Sequence, residues 1–249
     1  MGWRLAHIFR HPIKAHGREA LSSVTLETGR CLPFDRHWAV AHEATHLMPG
    51  WNACMNFTRG AKVPALQAIM ARFDEAAGEV TLSHPAREPV QFNPDRADGQ
   101  AAFLHWIKPL MEGARAQPAR LVKAGRGMTD TAFESVSILN LASLRTLGQR
   151  VGRDLGLDRW RANFWLEGMA PWEEFDLPGH ELIIGGARLK VVERIGRCRA
   201  TMVDCATGRI DVNTLDLLEE SYGHTDFGVY AEVVSGGPIE CGDPAELVP

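Results

Sequence analysis

The chain has no stretch of about 20 apolar residues, the length a helix needs to cross a bilayer. Its opening, MGWRLAHIFRHPIKAHG, holds no apolar run of signal-peptide length. These absences predict a protein with no membrane span in a reducing, cytoplasmic setting. Cysteine is sparse: Cys31, Cys54, Cys198, Cys205 and Cys241, an odd number with no C-x-x-C pair. That argues against a secreted disulfide framework and against a cysteine-rich zinc or iron–sulfur site. No G-x-G-x-x-G follows a strand, and neither a P-loop nor a G-x-S-x-G occurs. Dinucleotide binding, P-loop phosphoryl transfer and α/β-hydrolase chemistry therefore have no support. There is no internal repeat and no low-complexity tract. The large positive charge of a nucleic-acid binder is also missing, since the formal net charge is -4. Nucleic acid is not an expected partner.

What is present is a 249-residue chain of ordinary globular composition, long enough for one large domain or two small ones. Its charge is uneven. Residues 1–125 hold 15 Lys+Arg against 11 Asp+Glu, net +4, and residues 126–249 hold 12 against 20, net -8. Inside the acidic half, Arg188, Lys190, Arg194, Arg197 and Arg199 fall close together, opposed only by Glu193. Such a stretch reads as a local anion site, not a polyanion track.

Most of the pattern is strand-like. Trp3 to Ile8 and Trp38 to His42 alternate with a period of about two, and Val80 to Leu82 precedes Pro85. Leu66 to Phe73 fits either a short helix or a strand. Gln100 to Met111 predicts a helix that Pro109 kinks or ends. Asn140 to Leu155 predicts the best helix, with Leu144, Leu147, Val151 and Leu155 as a stripe, Asn140 as N-cap and Gly156 as stop. Leu182 to Ile184, Gly185-Gly186 and Arg188 to Val192 read as a hairpin. Val229 to Val234 is a late strand, followed by a turn at Gly236-Gly237-Pro238. Residues 86–99 and 113–127 read as connectors, the second as the domain boundary. Short strands with glycine turns predict β-barrel-like domains, not a doubly wound sheet.

Three features carry chemistry. His42-Glu43-Ala44-Thr45-His46 spells H-E-x-x-H, the zinc-peptidase pattern, but that chemistry needs a helix and these residues follow a strand. Cys198 lies between Arg197 and Arg199, and flanking guanidiniums favour a thiolate, which is both a soft-metal ligand and a nucleophile. A buried, inert thiol fits the local sequence as well. Lys14, Arg36, Arg159 and Arg161 are scattered cations; converging on one cleft they would grip a phosphate-like anion.

Six segments taken in order resemble the MOSC family, named for the C-terminal domain of molybdenum cofactor sulfurases. HPIKAHGRE (11–19) is similar to the family's Y-P-I-K-S-x-x-G and GRCLPFDRHWAV (29–40) to its G-L-x-x-D-R-x-W-x-V. FESVSILNLASLRTL (133–147), RWRANFWLEG (159–168), ERIGRCRATMVDCATG (193–208) and FGVYAEVVSGGPIECGD (227–243) resemble successive segments of the MOSC domain. The resemblance covers residues 5 to 244. It implies a mainly β fold with a few helices: an N-terminal β-barrel-like domain, 1–124, packed on a β-barrel MOSC domain, 125–249. It implies a molybdenum cofactor, molybdopterin, with Cys198 as metal ligand. Lys14, Arg36, Ser143, Arg161, Asn163, Arg197 and Tyr230 would bind the cofactor, with the basic stretch as its rim. It further implies two-electron reduction of N-hydroxylated compounds, with electrons from a separate electron-transfer protein of ferredoxin or cytochrome type. The rival is a carrier that passes on the cofactor, or sulfur on Cys198, without turnover. Ala15, Ala162 and Cys205 depart from the family pattern. Cys205 raises persulfide or disulfide chemistry, beside the plainer reading of a structural thiol.

Overall fold

The computed structural model describes residues 2–43, 45–123 and 125–248. In chain order the first part contains β1 (Trp3–Arg10), β2 (Glu19–Leu21), β3 (Ser23–Leu26) and β4 (Trp38–His42). Then come β5 (Met70–Asp74), β6 (Glu79–His84), β7 (Arg87–Phe92), α1 (Ala97–Ile107) and β8 (Pro118–Lys123). The second part contains β9 (Val136–Asn140), α2 (Leu141–Val151), β10 (Phe164–Glu167), β11 (Glu181–Ile184) and β12 (Ala187–Gly196). It ends with β13 (Val203–Asp204), β14 (Arg209–Ile210), α3 (Thr214–Tyr222), β15 (Asp226–Ser235), β16 (Gly237–Glu240) and β17 (Pro244–Leu247). The protein is mainly β with three α-helices among the described residues, as its short alternating segments predict.

Seven strands close into a barrel in the order β10-β9-β15-β12-β11-β17-β1, with β1 pairing back to β10. Alternation drives the closure. Along β12, Leu189 and Val191 face inward while Arg188 and Lys190 face out. Leu5, Ile8, Ile138, Phe164, Leu182, Val229 and their neighbours fill the interior. Burying each such side chain is worth about 1.5–3 kcal/mol. β1 belongs to this barrel although it opens the chain, so the barrel is not built from residues 125–249 alone. β3 likewise pairs with β16.

The rest of the N-terminal part surrounds a second core. A β4–β8 ladder and a β5-β6-β7 meander pack with α1 around Val40, Leu66, Phe73, Leu82 and Phe103. A third cluster, with Trp160, Trp165 and Phe227, lies under α2.

Several local expectations change. Residues 64–68 form a 3-10 helix and β5 follows, so Leu66 to Phe73 is both turn and strand. The 86–99 connector contains β7, an edge strand, where Pro89 need not break a central ladder. The 113–127 connector contains β8, held by pairing with β4, a long-range partner no local pattern discloses. α1 ends at Ile107, and Pro109 sits in the following 3-10 turn. Asn140 caps α2 through its side chain, accepting from the Ala142 amide at 2.8 Å. The stop is Gly152 at φ +75°, one turn before the expected Gly156, because glycine adopts the left-handed cap without strain. Gly185-Gly186 turns β11 into β12 as expected, with Ile184 opposite Ala187. Gly237 and Pro238 are not a turn but the start of β16. In H-E-x-x-H, His42 ends β4, Glu43 is in a turn and His46 is in coil; Ala44 lies outside the described residues. Among the described residues no helix spans the motif, and no group of three metal-ligating side chains forms.

Candidate functional site

A cleft of about 180 Å³ opens at the seam between the two parts of the chain. One wall comes from residues between Lys14 and Gln67, the other from residues between Asp130 and Tyr230. Lys14, Arg36, Arg161, Arg197, Cys198 and Tyr230, six of the expected residues, line it together.

Hydrogen bonds across the seam set this convergence. Lys14 Nζ donates to the Met128 carbonyl at 2.7 Å and to Asp130 Oδ1 at 2.6 Å. Arg36 Nη2 donates to the Arg161 carbonyl at 2.8 Å, and its Nη1 pairs with Asp35. Arg161 Nη1 donates to the Gly17 carbonyl at 3.2 Å. Arg18 reaches Asp158 at 2.6 Å. Arg197 donates to the Phe227 carbonyl at 2.7 Å and to the Trp160 carbonyl at 3.0 Å, so it is both a strut and a cleft cation.

The backbone is strained where the cations meet. Ala15 (φ 64°), Arg36 (φ 50°) and Arg161 (φ 50°) all line the cleft in the left-handed region. Each costs about 1–3 kcal/mol for a residue with a Cβ. Gly17, at φ +80°, has no room for a Cβ, which would lie 2.7 Å from the Ala71 Cβ.

The electrostatics favour an anion. Burial, and then the charges of Arg36 and Arg18, lower Arg161 to about 9. Its Nη2 is covered and has no partner among the described residues. Burial lowers Arg197 to about 10. Burial would raise Asp35, but Arg36 and a bond from His11 hold it well below the carboxylate range. Burial, with Arg161 and Arg36 nearby, keeps His11 neutral down to about 3. Burial and the Asp130 carboxylate push the Tyr230 phenol to about 12, so it keeps its proton.

Cys198 is exposed at the cleft, just before a 3-10 turn at Arg199–Met202, where its carbonyl accepts from the Thr201 amide at 3.1 Å. Cys205 does not line the cleft, and burial raises its thiol, which disfavours the thiolate that persulfide chemistry needs.

Two expected residues stand apart from the cleft lining. Ser143 is buried in α2; its hydroxyl donates to Glu174 at 2.8 Å and accepts from the Trp172 amide at 2.8 Å. That hydroxyl is engaged in holding α2 to the 173–176 turn. Asn163 is buried behind the wall; its Oδ1 accepts from Ser137 Oγ at 3.0 Å and so positions Ser137, which does line the cleft. The basic stretch does not form a rim. Arg188 pairs with Glu181 and Arg194 lies over Phe175, both on the barrel exterior. Only its end, through Arg197 and Cys198, reaches the cleft. Arg159 also lines it, yet its guanidinium is spent on Asp211 at 3.0 and 3.1 Å.

Sequence reasoning missed Cys54, Thr58, Arg59, Gln67, Asp130 and Ser137. Nothing local distinguishes them: Cys54, Thr58, Arg59 and Gln67 arrive with the docked 54–67 segment, Asp130 meets Lys14 across the seam, and Ser137 sits on β9 opposite Tyr230.

With this geometry in hand, comparison with known proteins gives the class. Residues 2–119 match the MOSC N-terminal beta barrel domain and residues 128–246 match the MOSC domain. The chain belongs to the MOSC family. A curated relative, mitochondrial amidoxime reducing component 2 of Bos taurus, is 33% identical over 121 residues, 44% of this chain and 35% of the relative. Its counterpart from Macaca fascicularis is 32% identical over 120 residues, 43% of this chain and 35% of the relative. The chain thus spans about a third of the length of these relatives. Among solved structures, the YuaD protein of Bacillus subtilis matches 99% of this chain and 96% of its own at 11% identity, with a TM-score of 0.46. YiiM of Geobacillus stearothermophilus matches 46% of this chain and 54% of its own at 21% identity, with a TM-score of 0.37. No helix among the described residues is long and apolar enough to cross a membrane.

Proposed function

We propose that the cleft holds a molybdenum cofactor and that the protein reduces N-hydroxylated compounds to the amine, amidine or base. The observation that carries this reading is one exposed thiol, Cys198, in a cleft where Lys14, Arg36, Arg161 and Arg197 meet. The donor set fits such a group. A thiolate is the ligand soft metals select. The partnerless Arg161 Nη2 is a donor waiting for an acceptor, and a pterin phosphate supplies acceptors.

When bound, the cofactor supplies the two-electron redox chemistry. The chain supplies ligation by Cys198 and charge balance by the four cations. Tyr230, protonated at neutral pH, presents a hydroxyl beside them. Asn163 holds Ser137, and the strained loops at Arg36 and Arg161 fix where the cations point. Electrons come from a separate partner protein. The exposure of Cys198 also suits a carrier that hands the cofactor on, and turnover separates the two.

The test is metal and pterin analysis of the purified protein, with assay of a benzamidoxime-type substrate and a chemical reductant. Molybdenum, an oxidisable pterin and turnover are expected; Cys198→Ala loses the metal. Equimolar zinc without pterin, or full molybdenum in Cys198→Ala, overturns the reading.

A further inference from the structure

The 54–67 segment brings two buried side chains with acceptor oxygens to the cleft. Gln67 is 1% exposed, and its Nε2 donates to the Ala200 carbonyl at 3.1 Å. A carbonyl only accepts, so the amide orientation is fixed. Its Oε1 has no partner among the described residues. Thr58 is also 1% exposed, and its Oγ1 lies 3.3 Å from His16 Nε2.

The direction of that second bond follows from its neighbour. His16 Nδ1 is 2.7 Å from the Lys14 carbonyl, so Nδ1 carries the ring proton. Burial lowers His16 to about 4, so at pH 7 the ring is neutral and Nε2 offers a lone pair. The Thr58 hydroxyl must therefore donate to His16. What remains of Thr58 for a ligand is oxygen lone pairs, and Gln67 offers its unpartnered Oε1 beside one further N–H. The guanidiniums of Arg36, Arg161 and Arg197 line the same cleft. The cleft thus sets these two acceptors among several cationic donors.

We propose that Thr58 and Gln67 are specificity-determining residues that read N–H groups on the molecule bound in the cleft. This rests on the reading of the cleft as the site of a pterin cofactor and an N-hydroxylated substrate. A buried acceptor left unpaired is penalised, so a ligand without N–H is rejected more strongly than one with N–H is favoured. The N–H group has two sources, the amino edge of the substrate or product, and the amino group of the pterin.

The experiment uses the purified full chain, with pterin and molybdenum content measured first. Wild type, Thr58→Val, Thr58→Ser and Gln67→Met are then titrated calorimetrically with adenine and with 6-dimethylaminopurine, which lacks the exocyclic N–H. Wild type is expected to prefer adenine. Thr58→Val and Gln67→Met each lose about tenfold in adenine affinity, with no loss for the dimethyl analogue, and Thr58→Ser retains the preference. If the pterin is the donor, Thr58→Val and Gln67→Met instead lose pterin while Thr58→Ser keeps it. Wild-type pterin content together with an unchanged adenine preference in both Thr58→Val and Gln67→Met overturns the proposal. Wild type lacking molybdenum and pterin overturns the functional reading and leaves the purine comparison intact.

Discussion

Arg161 sits at φ +50°, is lowered to about 9 by enclosure and neighbouring cations, and keeps one nitrogen without a partner. A residue selected for stability alone would carry none of these features, which together mark a site where stability is exchanged for binding. Arg161→Gln is therefore expected to hold or raise the urea midpoint while bound pterin falls by about tenfold, the loss of one charge-assisted pair. Pterin fluorescence and denaturation on the same preparation check both halves. The buried histidines make a second prediction. His11 and His16 are neutral in the fold, with values of about 3 and about 4. Each folded value lies below the unfolded 6.5, so the unfolded chain binds more protons as pH falls. Their contribution is complete above pH 6.5 and is lost on acidification, down to about 4 for His16 and about 3 for His11, on the order of a few kcal/mol. Asp35 is depressed too, but it acts only below the ordinary carboxylate range, in a lower window. His16→Gln should flatten the slope of the urea midpoint between pH 6.5 and 4. An unchanged slope would show that His16 is not the titrating group.

Helix ends show what local sequence discloses. Asn140 and Gly152 bound α2, and Asn213 and Gly223 bound α3, each an amide cap at the start and a left-handed glycine at the end. The start of α2 was readable because an N-cap is a local device; its stop was misplaced because Gly152 and Gly156 both satisfy the same rule. The two caps differ in setting. Asn140 is fully buried, and its Nδ2 also donates to the Ala170 carbonyl at 2.7 Å and to Glu174 at 2.9 Å. Glu174 is raised by its burial and leans on these donors. Asn140→Ala is thus expected to cost at least about 3 kcal/mol, a cap plus an unsatisfied buried carboxyl. Asn213→Ala, on an exposed turn, should cost about 1 kcal/mol. Equal losses in urea titrations would refute the role given to Glu174. The strands β7 and β8 were unreadable for the opposite reason. Pro89 and Pro118 suggest loops; a hairpin with β6 makes a strand of β7, and pairing with β4, some eighty residues earlier in the chain, makes one of β8.

At the scale of the whole molecule, the cations and Cys198 were legible as motif members, but their meeting was not. Convergence depends on strained backbone at Arg36 and Arg161 and on hydrogen bonds that cross the seam, none of which has a local signature. The same holds for the acceptors Thr58 and Gln67, which look like any buried polar residues until their partners are known. The barrel carries the lesson further. Residues 2–119 and 128–246 match two family domains, yet β1 fills the gap between β10 and β17, pairing Leu5 with Leu166 and Trp3 with Ala245. Without β1 those strands become open edges, and Leu5 and Ile8 leave the core. Losing two fully buried aliphatic side chains removes about 3–6 kcal/mol, comparable to the whole stability of a domain this size. A fragment of residues 125–249 should therefore aggregate or show broad, non-cooperative unfolding. Fusing residues 2–11 to its C-terminus through a flexible linker long enough to reach the gap should restore a cooperative transition. Leu5→Asp in that fused strand should abolish the rescue, because the charge would enter the barrel interior. A fragment that unfolds cooperatively without the strand would show that the barrel closes by another pairing.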